Sequence, residues 1–132
     1  MKARYQTPLP WSWFTQRPSY RRFMVREATS VFLAAYLVYL IVWIYRLGQG
    51  PEGLAAAIDS ARRPFTVALH ILALAAALYH SITWFNLTPQ IMPLYIGEDR
   101  LPDFWTAILM GYLPWLVVSV ILLWGIGSQF GG

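Results

Sequence analysis

Two side chains that can donate hydrogen bonds lie four residues apart in an otherwise apolar run. They are His80 and Trp84, in the stretch LYHSITWF at positions 78–85. Residues i and i+4 share one face of a helix, so the imidazole and the indole N–H would lie together. A carboxylate, Glu27, follows Arg26 at the start of an earlier apolar run. Imidazole and carboxylate groups can relay protons, whereas an indole N–H only donates a hydrogen bond.

These residue types suit proton-coupled chemistry on a ligand with oxygen acceptors better than they suit hydrolysis. The chain has no cysteine, no glycine-rich phosphate loop, no zinc-ligand spacing and no nucleophile–base–acid set. A quinone has an apolar ring and tail, two oxygens that need hydrogen-bond donors, and two protons to exchange on oxidation or reduction. The sequence therefore indicates a quinone-type ligand.

The composition is typical of a membrane protein. The 132 residues are 58% hydrophobic and 12% charged, against about 25% charged in soluble domains. Positive charge concentrates ahead of the first apolar run, which indicates the cytoplasmic side of a bilayer rather than nucleic-acid binding. That run is too long for a signal peptide and is followed by no small-residue cleavage site. We therefore expect residues 1–26 to be a cytoplasmic or interfacial segment of the mature chain.

Three uncharged runs are long enough to cross a bilayer. They comprise 18 residues between Glu27 and Arg46, 34 between Arg63 and Glu98, and everything after Asp103. A hydrocarbon core needs about 20 apolar residues in a helix. We predict an all-α membrane protein with a three-helix membrane anchor at residues 27–126 and a short periplasmic tail at 127–132, the spans being about 27–47, 64–86 and 104–126.

Prolines mark where these helices start, end or bend. Pro64 suits a first helical turn, Pro89 is expected to end the second helix, and Pro114 is expected to kink the third. Between the first two spans, the stretch from Leu54 to Arg62 predicts a short surface helix.

The Lys/Arg distribution predicts a cytoplasmic N-terminus and a periplasmic C-terminus. Seven basic residues would then lie inside and three, Arg46, Arg62 and Arg63, outside. The seven are Lys2, Arg4, Arg17, Arg21, Arg22, Arg26 and Arg100. The aromatic residues Trp11, Trp13 and Phe14 would form part of an interfacial belt on the inner side.

This orientation brings the polar residues to one leaflet. At 1.5 Å per residue, His80 would lie about 7 Å and Trp84 about 13 Å inward of the midpoint of their helix. Glu27 would lie about 14 Å inward of the midpoint of the first helix. The carboxylate and the imidazole–indole pair are therefore expected in the same leaflet of the membrane.

Most of these residues also have a purely structural interpretation. Trp84 is the type of residue that anchors a helix at the bilayer surface, and Glu27 beside Arg26 suits a solvated pair at a helix start. Ser81 and Thr83 are expected to bond helical carbonyls or a neighbouring helix.

The two histidines are harder to explain in that way. An ionisable group inside a span is costly and usually faces a bundle interior, a cavity or a ligand, which favours a functional role for His80. His70 lies ten residues earlier, and its simplest role is a hydrogen bond to a partner helix.

Two long stretches carry a resemblance to a known family: SYRRFMVREATSVF, and GPEGLAAAIDSARRPFTVALHILALAAALYHSITWF. With the short charged loop and third span that follow, they resemble the C subunit of bacterial fumarate reductase, from about Arg17 to about Gly125. The most specific parts are RFMVRE and LAAALYHSITWF. The resemblance implies a non-catalytic, multi-pass anchor in the bacterial inner membrane.

The resemblance also implies partners and cofactors. In such a complex a flavoprotein with FAD reduces fumarate, an iron–sulfur subunit relays electrons, and a second small anchor, the D subunit, completes the heterotetramer. Because three helices cannot enclose a quinone alone, we expect an obligate hetero-oligomer. The implied function is to tether the two other subunits and to help form the menaquinol-oxidising site in anaerobic respiration.

The family's site residues match positions of this chain one by one. The acidic residue of the R-E pair, the histidine, and the tryptophan four residues later match Glu27, His80 and Trp84, with Arg26 as neighbour. Ser30 matches a small residue near the quinol. The resemblance thus implies a menaquinol site at these five residues and no metal ligand.

One position departs from the family pattern, because His70 stands where an asparagine is usual. Related succinate dehydrogenase anchors bind haem through histidines of their second helix. The alternative function is therefore a haem-binding cytochrome b anchor of succinate dehydrogenase, although similarity to fumarate reductases with two small anchors implies no haem. A purely structural anchor is another alternative. A transporter or channel is disfavoured by the lack of an inverted repeat.

Overall fold

A computed structural model describes residues 10–130, so Lys2, Arg4 and the last two glycines lie outside the described part of the chain. A single 3-10 turn (Trp13–Thr15) precedes a series of helices interrupted by one β-hairpin. The elements that follow the turn are α1 (Pro18–Leu47), α2 (Pro51–Arg62), α3 (Pro64–Ile91), β1 (Tyr95–Ile96), β2 (Asp99–Arg100), α4 (Asp103–Ala107), a π-helical segment (Ile108–Tyr112) and α5 (Leu113–Phe130).

Three helices are long and apolar enough to cross a membrane: Pro18–Leu47, Pro64–Ile91 and Asp103–Gln129. The prediction of a helical protein with three helices able to span a membrane is confirmed apart from the small hairpin, and the orientation remains a prediction. The chain divides into two compact units within α3, one ending at Ala77 and the other beginning at Leu78.

Helix α1 begins nine residues before the predicted span. Pro18 occupies the first helical turn, where its fixed φ is favourable and its missing N–H costs nothing. The 30 residues of α1 correspond to about 45 Å of helix, against a hydrocarbon core of about 30 Å. Almost three turns of α1 therefore precede the charge-free run, and they carry Arg21, Arg22 and Arg26.

Helix α2 confirms the expected surface helix and is three residues longer than predicted. Gly50, with φ of 91°, turns the chain in a conformation that favours glycine. The helix is held against the end of α1, where Trp43 Nε1 donates to the carbonyl of Ala57 at 3.3 Å. Gly53 contacts the Arg46 carbonyl oxygen so closely that a Cβ would not fit there.

Helix α3 starts at Pro64 as predicted but does not end before Pro89. Pro89 lies inside the helix, which continues to Ile91. The expected helix stop is therefore wrong, although Pro89 has no N–H to donate to the carbonyl of Phe85. The buried ring and a hydrogen bond from Arg100 Nη2 to the Pro89 carbonyl, at 3.4 Å, stabilise the arrangement.

A small hairpin occupies part of the expected loop in the second unit. Tyr95 pairs with Arg100 and Ile96 with Asp99, around a turn in which Gly97 has φ of 64°. Glycine with positive φ at the first position of a two-residue loop is typical of a type II′ turn. An ion pair between Arg100 and Asp103 at 2.8 Å connects the hairpin to the start of α4.

The distortion expected at Pro114 takes the form of the π-helical segment directly before it. Proline has no N–H, so the regular hydrogen-bond ladder cannot continue through this point, and a wider turn accommodates the break. After it, α5 continues to Phe130, so the predicted tail at 127–132 is helical as far as it is described.

Candidate functional site

Arg26 and Glu27 form an ion pair on the first part of α1. Arg26 Nε lies 3.4 Å from Glu27 Oε1, with 12% of the arginine side chain exposed and 46% of the carboxylate side chain exposed. The guanidinium also lies over the ring of Phe23, 5.2 Å from its centroid. The arginine is thus fixed between a carboxylate and an aromatic face, while the carboxylate keeps about half of its surface for another partner.

Two hydroxyl groups in the next turn fold back onto the helix. Thr29 Oγ1 donates to the Arg26 carbonyl and Ser30 Oγ donates to the Glu27 carbonyl, both at 2.6 Å. Because its hydroxyl is used in this way, Ser30 presents a small and largely apolar surface one turn after the carboxylate. Arg26, Glu27 and Ser30 are therefore neighbours in the first unit, as their sequence spacing predicts.

His80 and Trp84 form a ring pair on α3 in the second unit. Their ring centroids are 6.2 Å apart, with an angle of 55° between the planes. This arrangement confirms the prediction that the two side chains share one face. The indole keeps 38% of its surface exposed, so a ligand can still reach it. The pair offers an N–H donor and a titratable ring at adjacent positions.

Thr83 has the structural role expected of it. Its hydroxyl donates to the carbonyl of Tyr79 at 2.8 Å and to that of His80 at 2.9 Å. A threonine that bonds carbonyls of its own helix in this way satisfies its hydroxyl and leaves it little capacity to bind a ligand.

Close packing supports α3 directly after Trp84. Gly111, in the π-helical segment, is buried, and a Cβ built on it would lie 2.7 Å from Phe85 Cγ. The Phe85 ring also contacts the ring of Tyr112 at a centroid distance of 5.0 Å, and Tyr112 Oη donates to Asn86 Oδ1 at 3.4 Å. Because Gly111 has no side chain, the π-helical segment can approach α3 closely at Phe85. This close contact holds the part of α3 that carries Trp84 in place.

His70 is bonded within its own helix, where its Nδ1 lies 2.6 Å from the Thr66 carbonyl oxygen. The hydrogen bond to a partner helix stays a prediction. The carbonyl one turn earlier is within reach of the ring and satisfies one nitrogen without another subunit. The imidazole is packed edge-on against Tyr36 and Tyr39, at 5.7 and 5.9 Å.

A groove of about 470 Å³ adjoins this histidine in the first unit. Apart from Tyr36 and His70 its lining is aliphatic, contributed by Leu33, Leu37, Leu40, Ala73, Leu74 and Ala77. Within residues 10–130, no group of three acidic or histidine side chains is arranged to hold a metal ion.

Sequence reasoning missed the residues that support the site from other elements. Gly111 and the two tyrosines beside His70 are distant in sequence from the residues they contact. Gly111, three positions before Pro114, is the one feature of the sequence that could have indicated a close approach of two helices. No comparable feature indicates the contacts of Tyr36 and Tyr39.

Comparison with known proteins identifies the family. The model of the fumarate reductase C subunit family matches residues 1–127. The fumarate reductase C subunit of Mycobacterium tuberculosis (strain H37Rv) is 36% identical over 121 residues, which cover 91% of this chain and 94% of that protein. The protein of the same name from Aliivibrio fischeri (strain ES114) is 40% identical over 90 residues, covering 68% and 71%. That from Haemophilus influenzae is 33% identical over 104 residues, covering 76% and 79%.

The match extends over the described helices and over both parts of the candidate site. The length of the match, the sequence identity to the relatives and the presence of three apolar helices are consistent with one another. The chain therefore belongs to the fumarate reductase C subunit family and is a membrane component of a multi-subunit fumarate reductase.

Proposed function

We propose that this chain is a non-catalytic anchor that holds the flavoprotein and iron–sulfur subunits at the inner membrane and helps to form a menaquinol-oxidising site. The observation that carries the proposal is the His80–Trp84 ring pair, 6.2 Å between centroids, with the indole 38% exposed, on a helix long and apolar enough to cross a membrane. An ionisable group such as the His80 imidazole is costly in a membrane span and usually marks a functional site.

The proposed roles follow from the donors and acceptors that each side chain presents. Trp84 Nε1–H donates to one oxygen of the ligand, and His80 donates to or flanks the same oxygen. These two contacts orient the ring of the ligand while its apolar tail stays in the lipid. Menaquinol, when bound, supplies two electrons to the iron–sulfur subunit and releases two protons.

Glu27 is proposed to accept protons at its carboxylate. Its side chain is about half exposed, and the adjacent guanidinium, held over Phe23, keeps the carboxylate in place. Arg26 thereby positions Glu27 and is also proposed to contact the iron–sulfur subunit. Ser30 supplies the small surface beside this group, because its hydroxyl is turned back onto the helix.

Replacing His80 should affect quinol chemistry selectively. We expect His80→Ala in the assembled complex to lower quinol-driven fumarate reduction about tenfold, because a lost hydrogen bond to the ligand costs about 1.5 kcal/mol. Fumarate reduction driven by a soluble dye, which bypasses the membrane subunits, should be unchanged. Both rates are measured on purified complex of verified subunit composition.

His70→Ala is the matched control, because it removes the same side chain ten residues earlier on the same helix. We expect it to leave quinol-driven turnover unchanged. If the chain were a purely structural anchor, with the quinone bound by other subunits, His80→Ala would impair assembly or have no effect. Either result would contradict the proposed role.

The histidines of this chain do not provide a complete haem site. Bis-histidine ligation needs two imidazoles on opposite sides of one iron, and His70 and His80 are ten residues apart on one helix, or about 15 Å. A haem would need a ligand from another subunit. The His70 ring is packed edge-on against Tyr36 and Tyr39, at 5.7 and 5.9 Å, which supports a structural role.

We therefore propose that the complex contains no haem b. The absorbance spectrum of the purified complex should lack a Soret band, and the pyridine haemochrome assay should give no signal. A Soret band that disappears in His70→Ala would contradict this proposal and would favour the alternative, a cytochrome b anchor of succinate dehydrogenase.

A further inference from the structure

The start of α1 carries positive charge that the described acidic residues do not neutralise. Arg21 and Arg22 are exposed. All six acidic residues of the chain lie within residues 10–130, and none of the three ion pairs found there includes Arg21 or Arg22. Two guanidinium groups with ten N–H donors between them are thus presented on one exposed helical turn.

These arginines occupy one side of the helix and aromatic residues occupy the other. At 100° per residue, Arg21 and Arg22 are neighbours, while Tyr20 and Phe23 lie together on the opposite side. Trp13 packs edge-on against Tyr20 at a centroid distance of 5.5 Å. Residues 10–17, the described part of the chain before α1, therefore fold onto the aromatic side. They leave uncovered the side formed by Arg21 and Arg22, called here the arginine face.

The distance of the arginine face from the apolar run matches the headgroup layer of a bilayer. The charge-free run starts at Ala28, six residues after Arg22, or about 9 Å along the helix. Headgroups add about 5–7 Å to each side of the hydrocarbon core, and an arginine side chain reaches several ångströms towards it. The exposed indole of Trp11, at 86%, is of a type enriched at the same depth.

We propose that the arginine face binds the phosphate groups of anionic phospholipids. Its depth, its pair of adjacent guanidinium groups and the aromatic residues on the opposite side of the helix together fit a charged membrane surface. Guanidinium binds phosphate oxygens through paired hydrogen bonds, and a basic group at the membrane surface gains about 1 kcal/mol from anionic lipid. Neither arginine belongs to the proposed quinol site, so this lipid site is independent of it.

The chain contains a matched control for the experiment. Arg62 and Arg63 form a second adjacent pair at the start of another span, and Arg63 is paired with Asp59 at 3.4 Å. Replacing either pair by glutamine removes the same charge. The detergent-solubilised complex is titrated with phosphatidylglycerol, and with phosphatidylcholine as the zwitterionic reference, and bound lipids are counted by native mass spectrometry.

We expect Arg21→Gln/Arg22→Gln to weaken the tightest phosphatidylglycerol binding about thirtyfold, from about fivefold per arginine. Phosphatidylcholine binding should not change. Arg62→Gln/Arg63→Gln should keep the tightest binding, and Arg21→Lys/Arg22→Lys should retain most of it because the charge remains.

Two results would overturn the proposal. Equal losses with both glutamine pairs would show a non-specific charge effect. Dissociation of the flavoprotein and iron–sulfur subunits from the Arg21→Gln/Arg22→Gln complex, with lipid binding unchanged, would show that the arginine face contacts protein.

Discussion

Glu27→Gln is expected to lower quinol-driven fumarate reduction by the assembled complex about a hundredfold, at the lower end of the effect of removing a general base. Glutamine has nearly the same shape as glutamate but accepts no proton at neutral pH, so proton release from quinol would have to find another acceptor. Dye-driven fumarate reduction should be unchanged, because the proposed anchor role leaves the fumarate site to another subunit. Both rates are measured on the same purified preparation.

Glu98→Gln provides the control for this change. Glu98 is an exposed carboxylate in the turn of the hairpin, outside the proposed site, and its replacement should leave both rates unchanged. If Glu27→Gln kept full quinol-driven turnover, Glu27 would not be the proton acceptor. If it lowered both rates equally, its role would lie in assembly.

Gly111→Ala should destabilise the complex by about 1–3 kcal/mol, the usual cost of overpacking a close contact. The added Cβ would lie 2.7–2.8 Å from three atoms of Phe85, one of which is its Cβ. The nearest atoms belong to the base of the side chain and cannot move aside without a shift of α3. The measurement is the thermal unfolding midpoint of the purified complex, which we expect to fall.

Gly125→Ala is the matched substitution in α5, where the added Cβ meets no heavy atom within 4 Å beyond its chain neighbours and the adjacent backbone of its own helix. Alanine favours a helix by about 1 kcal/mol over glycine, so its unfolding midpoint should stay the same or rise. Opposite signs for the two substitutions would confirm that the contact with Phe85 matters. Equal midpoints for Gly111→Ala and the unchanged complex would mean that the close approach is not maintained in the complex.

The three membrane helices could be predicted because a run without charge is itself the physical requirement for crossing a bilayer. The surface helix α2 was also predictable, although its start at Pro51 was not. The ends of helices were less predictable where tertiary contacts override the local tendency of a residue to end a helix. Pro89 normally ends a helix, yet burial of its ring and the hydrogen bond from Arg100 keep it within α3.

Within the candidate site, neighbours along one helix followed from helical spacing. The pairing of His80 with Trp84 and of Arg26 with Glu27 needs only the period of the helix. Contacts from other elements did not follow, because nothing in the local sequence specifies that Tyr36 and Tyr39 pack on His70 or that Gly111 approaches Phe85. Such contacts depend on how helices pack against one another.

The most direct test of the central claim is an experimental structure of the assembled complex with menaquinone bound. Our account predicts that the quinone ring lies within hydrogen-bonding distance of Trp84 Nε1, with His80 beside the same oxygen and the Glu27 carboxylate close enough to accept a proton. A quinone ring bound only by the other subunits, with none of these three side chains in contact with it, would contradict the account.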